Sequence, residues 1–179
     1  GAVLDANPIG LMLDDSGESH ALTTDGSNWA VAFTGFSAGN SDIAVKRISP
    51  AGVVLDPAPV LVTLGSFSLM SDLQLAFIGG NYFFGWNDGG ALLGRRFTPA
   101  LVPLDASPRV LTPISGVLAT SPNQLLVVSS AATPIFTSEI VAQRIDANLN
   151  VLDPVPVSLS GEAPDYYPVE PRAVFDGMR

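Results

Sequence analysis

An all-β fold made of repeated four-stranded units is predicted by three features of this chain: a motif that returns at a near-constant interval, a composition poor in helix formers, and prolines kept out of particular segments. The motif is Leu-Asp-x-x-Pro, found at Leu4 to Pro8, Leu55 to Pro59, Leu104 to Pro108 and Leu152 to Pro156. Its leucines are 51, 49 and 48 residues apart, and an arginine stands eight residues before each of the last three, as Arg47, Arg96 and Arg144. An interval of roughly 50 residues is the length of one supersecondary unit stacked on its neighbours.

Composition points the same way. The 179 residues are 47 % hydrophobic, enough for a packed core and against a disordered polymer. Gly 17 and Pro 15 interrupt the chain often, while lysine and glutamate number only one and four, so helix is disfavoured. The net charge of -9 comes from scattered carboxylates, which favours solubility and opposes binding to nucleic acid. With no cysteine there is no disulfide, thiol nucleophile or cysteine-held metal. No apolar run reaches the roughly 18 residues of a membrane helix, so no membrane span is expected. Gly1 to Asp5 already lies inside a repeat, and any targeting segment is expected to have been removed or to belong to a longer precursor.

Each unit reads as four strands. The first covers His20 to Thr24, Leu73 to Ile78, Val117 to Thr120 and Arg172 to Phe175, and turn residues follow at Asp25-Gly26-Ser27-Asn28, Gly79-Gly80-Asn81 and Ser121-Pro122-Asn123. The second is a continuous apolar run, Trp29 to Phe33, Tyr82 to Trp86 and Leu125 to Val128, as suits a strand covered on both faces. Trp29, Phe33, Tyr82, Phe84, Trp86, Leu125 and Val127 are therefore expected in the core. The third strand is Ile43 to Ile48, Ala91 to Phe97 and Ile140 to Ile145, each with its arginine near the end. The fourth is expected to contain the Leu-Asp-x-x-Pro motif.

Proline gives the strand order, because it cannot donate to a ladder and is confined to edges, first positions, bulges and turns. All prolines avoid strands two and three, whereas Pro8, Pro57, Pro59, Pro103, Pro108, Pro154 and Pro156 crowd strand four, which is predicted to be the outer edge. A four-stranded meander that is apolar on both faces must stack on copies of itself, as the blades of a β-propeller do. The blades are placed at 19–66, 67–115 and 116–163, with 1–18 ending one blade and 164–179 starting another. The alternative fold is a β-solenoid.

The units also resemble the propeller repeats of bacterial secreted and cell-surface proteins. The resemblance rests on Asp42-Ile43-Ala44-Val45-Lys46-Arg47-Ile48 followed by Ala51-Gly52-Val53-Val54-Leu55-Asp56, and on Glu139-Ile140-Val141-Ala142-Gln143-Arg144-Ile145. It spans nearly the whole chain and implies a fold and a secreted or surface location, not a chemistry. The second unit departs from it, with a short loop at Asn87 to Gly90 and no acidic residue before its third strand.

Arg47 and Asp56, Arg96 and Asp105, and Arg144 and Asp153 are each nine residues apart across the turn between strands three and four. A four-residue turn sets Asp opposite Arg, and a three-residue turn sets Leu there; in either case a structural cross-strand contact is expected. Gly35-Phe36-Ser37-Ala38-Gly39 matches a nucleophile elbow, but another strand follows it, and the single histidine, His20, precedes the serine; it reads as a hairpin loop. Asp14, Asp15 and Glu18 are the candidate metal ligands, in a loop whose carboxylates suit calcium. Glu162, Asp165-Tyr166-Tyr167 and Glu170 form a second acidic, aromatic loop suited to sugars or proteins.

The expected function is a non-catalytic binding or scaffolding segment that recognises a glycan or a protein, with no cofactor. One alternative is part of a propeller enzyme acting on glycans, and another is a structural spacer. In the enzyme the first strands would line the channel, and they offer His20, Gln74 and Arg172 but few carboxylates. Roughly 3.7 units is also fewer than the roughly four to eight blades of a closed ring, so the expected partners are the remainder of the propeller as a second chain or further copies of this one.

Overall fold

The computed structural model describes residues 7–11, 19–37, 40–63, 71–132, 138–160 and 171–177. None of these is helical. The first sheet consists of β1 (His20–Thr24), β2 (Trp29–Ser37), β3 (Asn40–Ile48) and β4 (Val60–Thr63). The second holds β5 (Ser71–Ile78), β6 (Asn81–Asp88), β7 (Ala91–Phe97) and β8 (Arg109–Thr112), and the third β9 (Val117–Thr120), β10 (Gln124–Ala132), β11 (Ser138–Asp146) and β12 (Val157–Ser158). All three are antiparallel meanders with strands in sequence order, the first strand at one edge and the fourth at the other. A solenoid would instead share its sheets between successive coils. The fold is that of a partial β-propeller.

The first strands sit side by side, β1 beside β5 and β5 beside β9, so they mark the axis around which the sheets turn. The stacking is built on strand two. Tyr82, Phe84 and Trp86 on one face of β6 pack with Ala30, Ala32, Ile43, Val45 and Val62 of the first sheet. Phe83, on the opposite face, packs with Leu125, Val127 and Ile145 of the third. This alternation is the strand period of two, with both faces buried.

Two glycines make room for Phe83. Gly85 and Gly94 are paired across β6 and β7, and a Cβ on either would come within 2.8 and 2.4 Å of the Phe83 ring. Gly94→Ala is therefore expected to cost about 1–3 kcal/mol by overpacking, measured by urea unfolding. The short turn of the second unit also depends on glycine, since Gly89 and Gly90 have φ of +58 and +88 between β6 and β7, as a two-residue hairpin of type I′ needs.

Three expectations need correction. The Leu-Asp-x-x-Pro motif does not lie within strand four but leads into it. After single bridges at Ile48–Val54, Phe97–Pro103 and Ile145–Val151, the ladder lapses, and each outer strand starts directly after the last proline of the motif, at Val60, Arg109 and Val157. A prolyl nitrogen has no hydrogen to give, so pairing resumes only beyond it. Secondly, Trp29 is 47 % exposed, although Phe33, Tyr82, Phe84, Trp86, Leu125 and Val127 are buried as expected. Trp29 lies on the face of the first sheet turned away from the second. Thirdly, Arg172 to Phe175 forms no strand.

Candidate functional site

The two ends of the stacked sheets differ in chemistry. At one end lie the β1–β2 and β5–β6 turns and the three Arg–Asp pairs. At the other lie the starts of β1, β5 and β9 and the ends of β2, β6 and β10.

The Arg–Asp pairs are clamps. The Arg47 backbone N–H and Nε both donate to Asp56 Oδ2, at 2.7 and 3.0 Å, and Nη2 donates to Asp56 Oδ1 at 2.6 Å. Arg96 holds Asp105, and Arg144 holds Asp153, in the same way. The register is the one that sets Leu opposite Arg, with Leu55 N–H donating to Arg47 O at 2.9 Å; the carboxylate of the next residue folds back to reach the guanidinium. Each clamp thus satisfies a β3, β7 or β11 amide that the proline-bearing segment leaves without a ladder partner. Two clamps also tie one sheet to the next: Arg47 Nη1 donates to Pro99 O at 2.8 Å, and Arg96 Nη1 to Ala147 O at 3.2 Å.

These contacts give a stability window. Burial raises Asp56 and Asp105, but the bonds from their arginines outweigh it and leave both carboxyls below the ordinary value. A depressed carboxyl contributes stability above its unfolded value and loses it as the pH falls below about 4. Tyr82 is pushed up, first by burial and then by its hydrogen bond to Asp25, made at 2.8 Å. Its contribution is present below the unfolded value and lost as the pH rises above about 10. The melting temperature is expected to hold level between about pH 5 and 9 and to fall on both sides, as scanning calorimetry across pH would show.

At the opposite end a polar cavity of about 290 Å³ opens beside the axis, lined by Asp72, Asn87, Ser115, Gly116, Ser130 and Arg172 among others. Asp72 sits in β5, where the register with β6 shifts between Ser71 and Gln74. Its φ is +51, a left-handed conformation that Asp tolerates better than most residues. Bulges next to active sites turn a side chain toward the site, and here the bulge leaves an exposed Asp72 at the cavity wall. Its Oδ2 accepts from Asn87 Nδ2 at 3.0 Å. Asn87 is buried, and its Oδ1 accepts from Gly116 N–H at 3.2 Å, so one amide fixes the carboxylate to the third sheet. Gly116 is required there, because a Cβ would lie 2.3 Å from Val128 O. Ser129 Oγ donates to Ser115 O, which holds the opposite wall.

Of the channel residues expected from sequence, only Arg172 lines this cavity. Gln74 is occupied by structure, its Nε2 donating to Gly116 O at 2.7 Å and its Oε1 accepting from Leu118 N–H at 2.5 Å. His20 is exposed and is not among the lining residues. Asp14, Asp15 and Glu18, and the loop from Glu162 to Glu170, lie outside the described residues. Among the described residues no three carboxylates or histidines gather as a metal site would require. Gly35 to Ser37 end β2, Ala38 and Gly39 lie outside the described residues, and the element that follows is β3, a strand and not a helix.

No protein family and no curated protein matches this chain. Among solved structures it is similar to the catalytic domain of a GH62 α-L-arabinofuranosidase from Coprinopsis cinerea, with a TM-score of 0.52 and 9 % identity over 87 % of this chain and 55 % of that one. The chain thus spans about half the length of that neighbour. The likeness is one of fold. It corrects the expectation of a non-catalytic binding or scaffolding module, because the matched propeller is a catalytic domain named for a glycan-cleaving activity.

Proposed function

We propose that this chain is part of a β-propeller enzyme that acts on glycans, with the sugar entering the polar cavity at the mouth of the axis. The observation that carries the reading is Asp72, an exposed carboxylate held in a left-handed bulge by a buried amide. Non-glycine residues in sparsely populated backbone regions cluster at active sites, where the surroundings hold them in place. Cleaving a glycosidic bond takes a pair of carboxyl groups, one protonating the leaving oxygen while the other activates water or attacks the sugar carbon, and Asp72 supplies one of the pair. Asp72 is the one carboxylate among the described residues lining the cavity, and it serves as the proton-handling group. Ser115, Ser130 and Arg172 provide hydroxyl and guanidinium groups for sugar hydroxyls. The fold likeness to a glycan-cleaving catalytic domain supports the same reading.

The test is a screen of purified protein against aryl glycosides and plant and microbial polysaccharides, following release of reducing sugar. Hydrolysis of at least one glycosidic linkage is expected. A protein that binds these glycans and cleaves none of them overturns the reading.

A further inference from the structure

We propose that Arg172 is the specificity-determining residue of the polar cavity, and that the sugar it selects carries a carboxylate, as a uronic acid does. This rests on the reading of that cavity as the glycan site. Among the described residues the cavity is lined by one anion and one cation, Asp72 and Arg172. Both are exposed. They reach it from distant parts of the chain, Asp72 on the β5 bulge and Arg172 on the segment 171–177, which forms no strand. The remaining polar side chains of the lining are Asn87, Ser115, Ser129 and Ser130, neutral groups that suit the hydroxyls of a sugar.

The other described arginines serve the fold. Arg47, Arg96 and Arg144 hold aspartates, Arg95 donates to the carbonyls of Asp105, Val62 and Ala106, and Arg109 donates to Asn148 O. Arg172 stands instead at a cavity wall, where its Nη1 donates to the carbonyl of the adjacent Pro171 at 3.2 Å. A guanidinium has several N–H donors in a planar fork. It can therefore hold its own backbone and still offer the pair of parallel bonds that matches a carboxylate. The segment is placed from both sides of the arginine: Pro171 lines the cavity with it and restricts the backbone there, and Phe175 lies in a cleft with Leu125 and Leu126 of the third sheet.

Charge also orients the ligand. A uronate carboxylate beside Asp72 meets a like charge, whereas beside Arg172 it meets an opposite one, so the ring enters with its acid group at Arg172 and away from Asp72. A neutral sugar in the same place covers the guanidinium without giving it an ionic partner, which costs affinity. The net charge of -9 on the chain opposes a densely charged polyanion. The substrate class is therefore an otherwise neutral glycan that bears isolated uronic acid residues.

Isothermal titration calorimetry on the full chain carrying Asp72→Asn tests recognition apart from cleavage. The probes are oligosaccharides with one glucuronic or galacturonic acid residue, and the same oligosaccharides with that carboxylate reduced to the alcohol. The acid form is expected to bind at least about 10-fold more tightly, the contribution of hydrogen bonds to a charged group, and this advantage is expected to shrink as salt is raised. Adding Arg172→Gln is expected to abolish the advantage, and Arg172→Lys to restore part of it, since lysine keeps the charge and loses the fork. Equal binding of the two forms, binding of neither, or an advantage that survives Arg172→Gln overturns the proposal. The glycosidase reading fails separately: if wild type cleaves no glycan while the acid form keeps its Arg172-dependent advantage, the recognition stands and the hydrolysis does not.

Discussion

Asp72→Asn is expected to lower glycan hydrolysis by about 10²–10⁴-fold, the contribution of a positioned proton-transfer group, while leaving the melting temperature nearly unchanged. The second half of that expectation follows from the backbone. Asn tolerates the left-handed φ of +51 that Asp72 adopts, and its amide oxygen still accepts the bond from Asn87. What is removed is the ionisable oxygen alone. Steady-state rates on a cleaved substrate and a thermal melt, measured on the same preparation, check both halves. A variant with wild-type turnover excludes Asp72 as the proton-handling group.

Phe84→Ala is expected to cost about 3–5 kcal/mol. The side chain is 0 % exposed at the junction of the first and second sheets, and it meets the Phe97 ring edge-on at 5.2 Å and 82°. Neither sheet can close over the gap without moving β6, whose other face is committed to the third sheet through Phe83. The resulting cavity adds to the lost transfer energy. Denaturant unfolding of wild type and variant measures the difference, and a loss below about 1 kcal/mol would contradict the stacking described here.

Much of the architecture was legible because the repeats state it more than once. The apolar second strands, the proline-bearing edges and the arginine–aspartate spacing each recur, so strand order and the clamps could be read without knowing how the sheets meet. The misreadings occur where the signal is not local. Trp29 sits in an apolar run like those of Tyr82 and Leu125, and no pattern within the run says that it stays half exposed while they are buried. The Leu-Asp-x-x-Pro motif has an apolar, strand-like start, but the lost prolyl donors push the edge strand past it.

The site was missed by one residue. A hydrophobic run starting at Leu73 defined the strand, whereas β5 begins at Ser71 and carries Asp72 at its bulge. An irregularity of register leaves no trace in a two-residue periodicity. The left-handed Leu101 and Leu149 were equally invisible, since only Gly52, at the same turn position, advertises that conformation. Their burial at 4 % and 2 % shows what holds them there.

The most direct test of the central claim follows the anomeric proton signals of a cleavable oligosaccharide by NMR, with wild type and Asp72→Asn measured side by side. New anomeric signals from a released sugar are expected with wild type and not with the variant, although both bind the oligosaccharide. Release at equal rates by both, or no release by wild type from any glycan it binds, would contradict it.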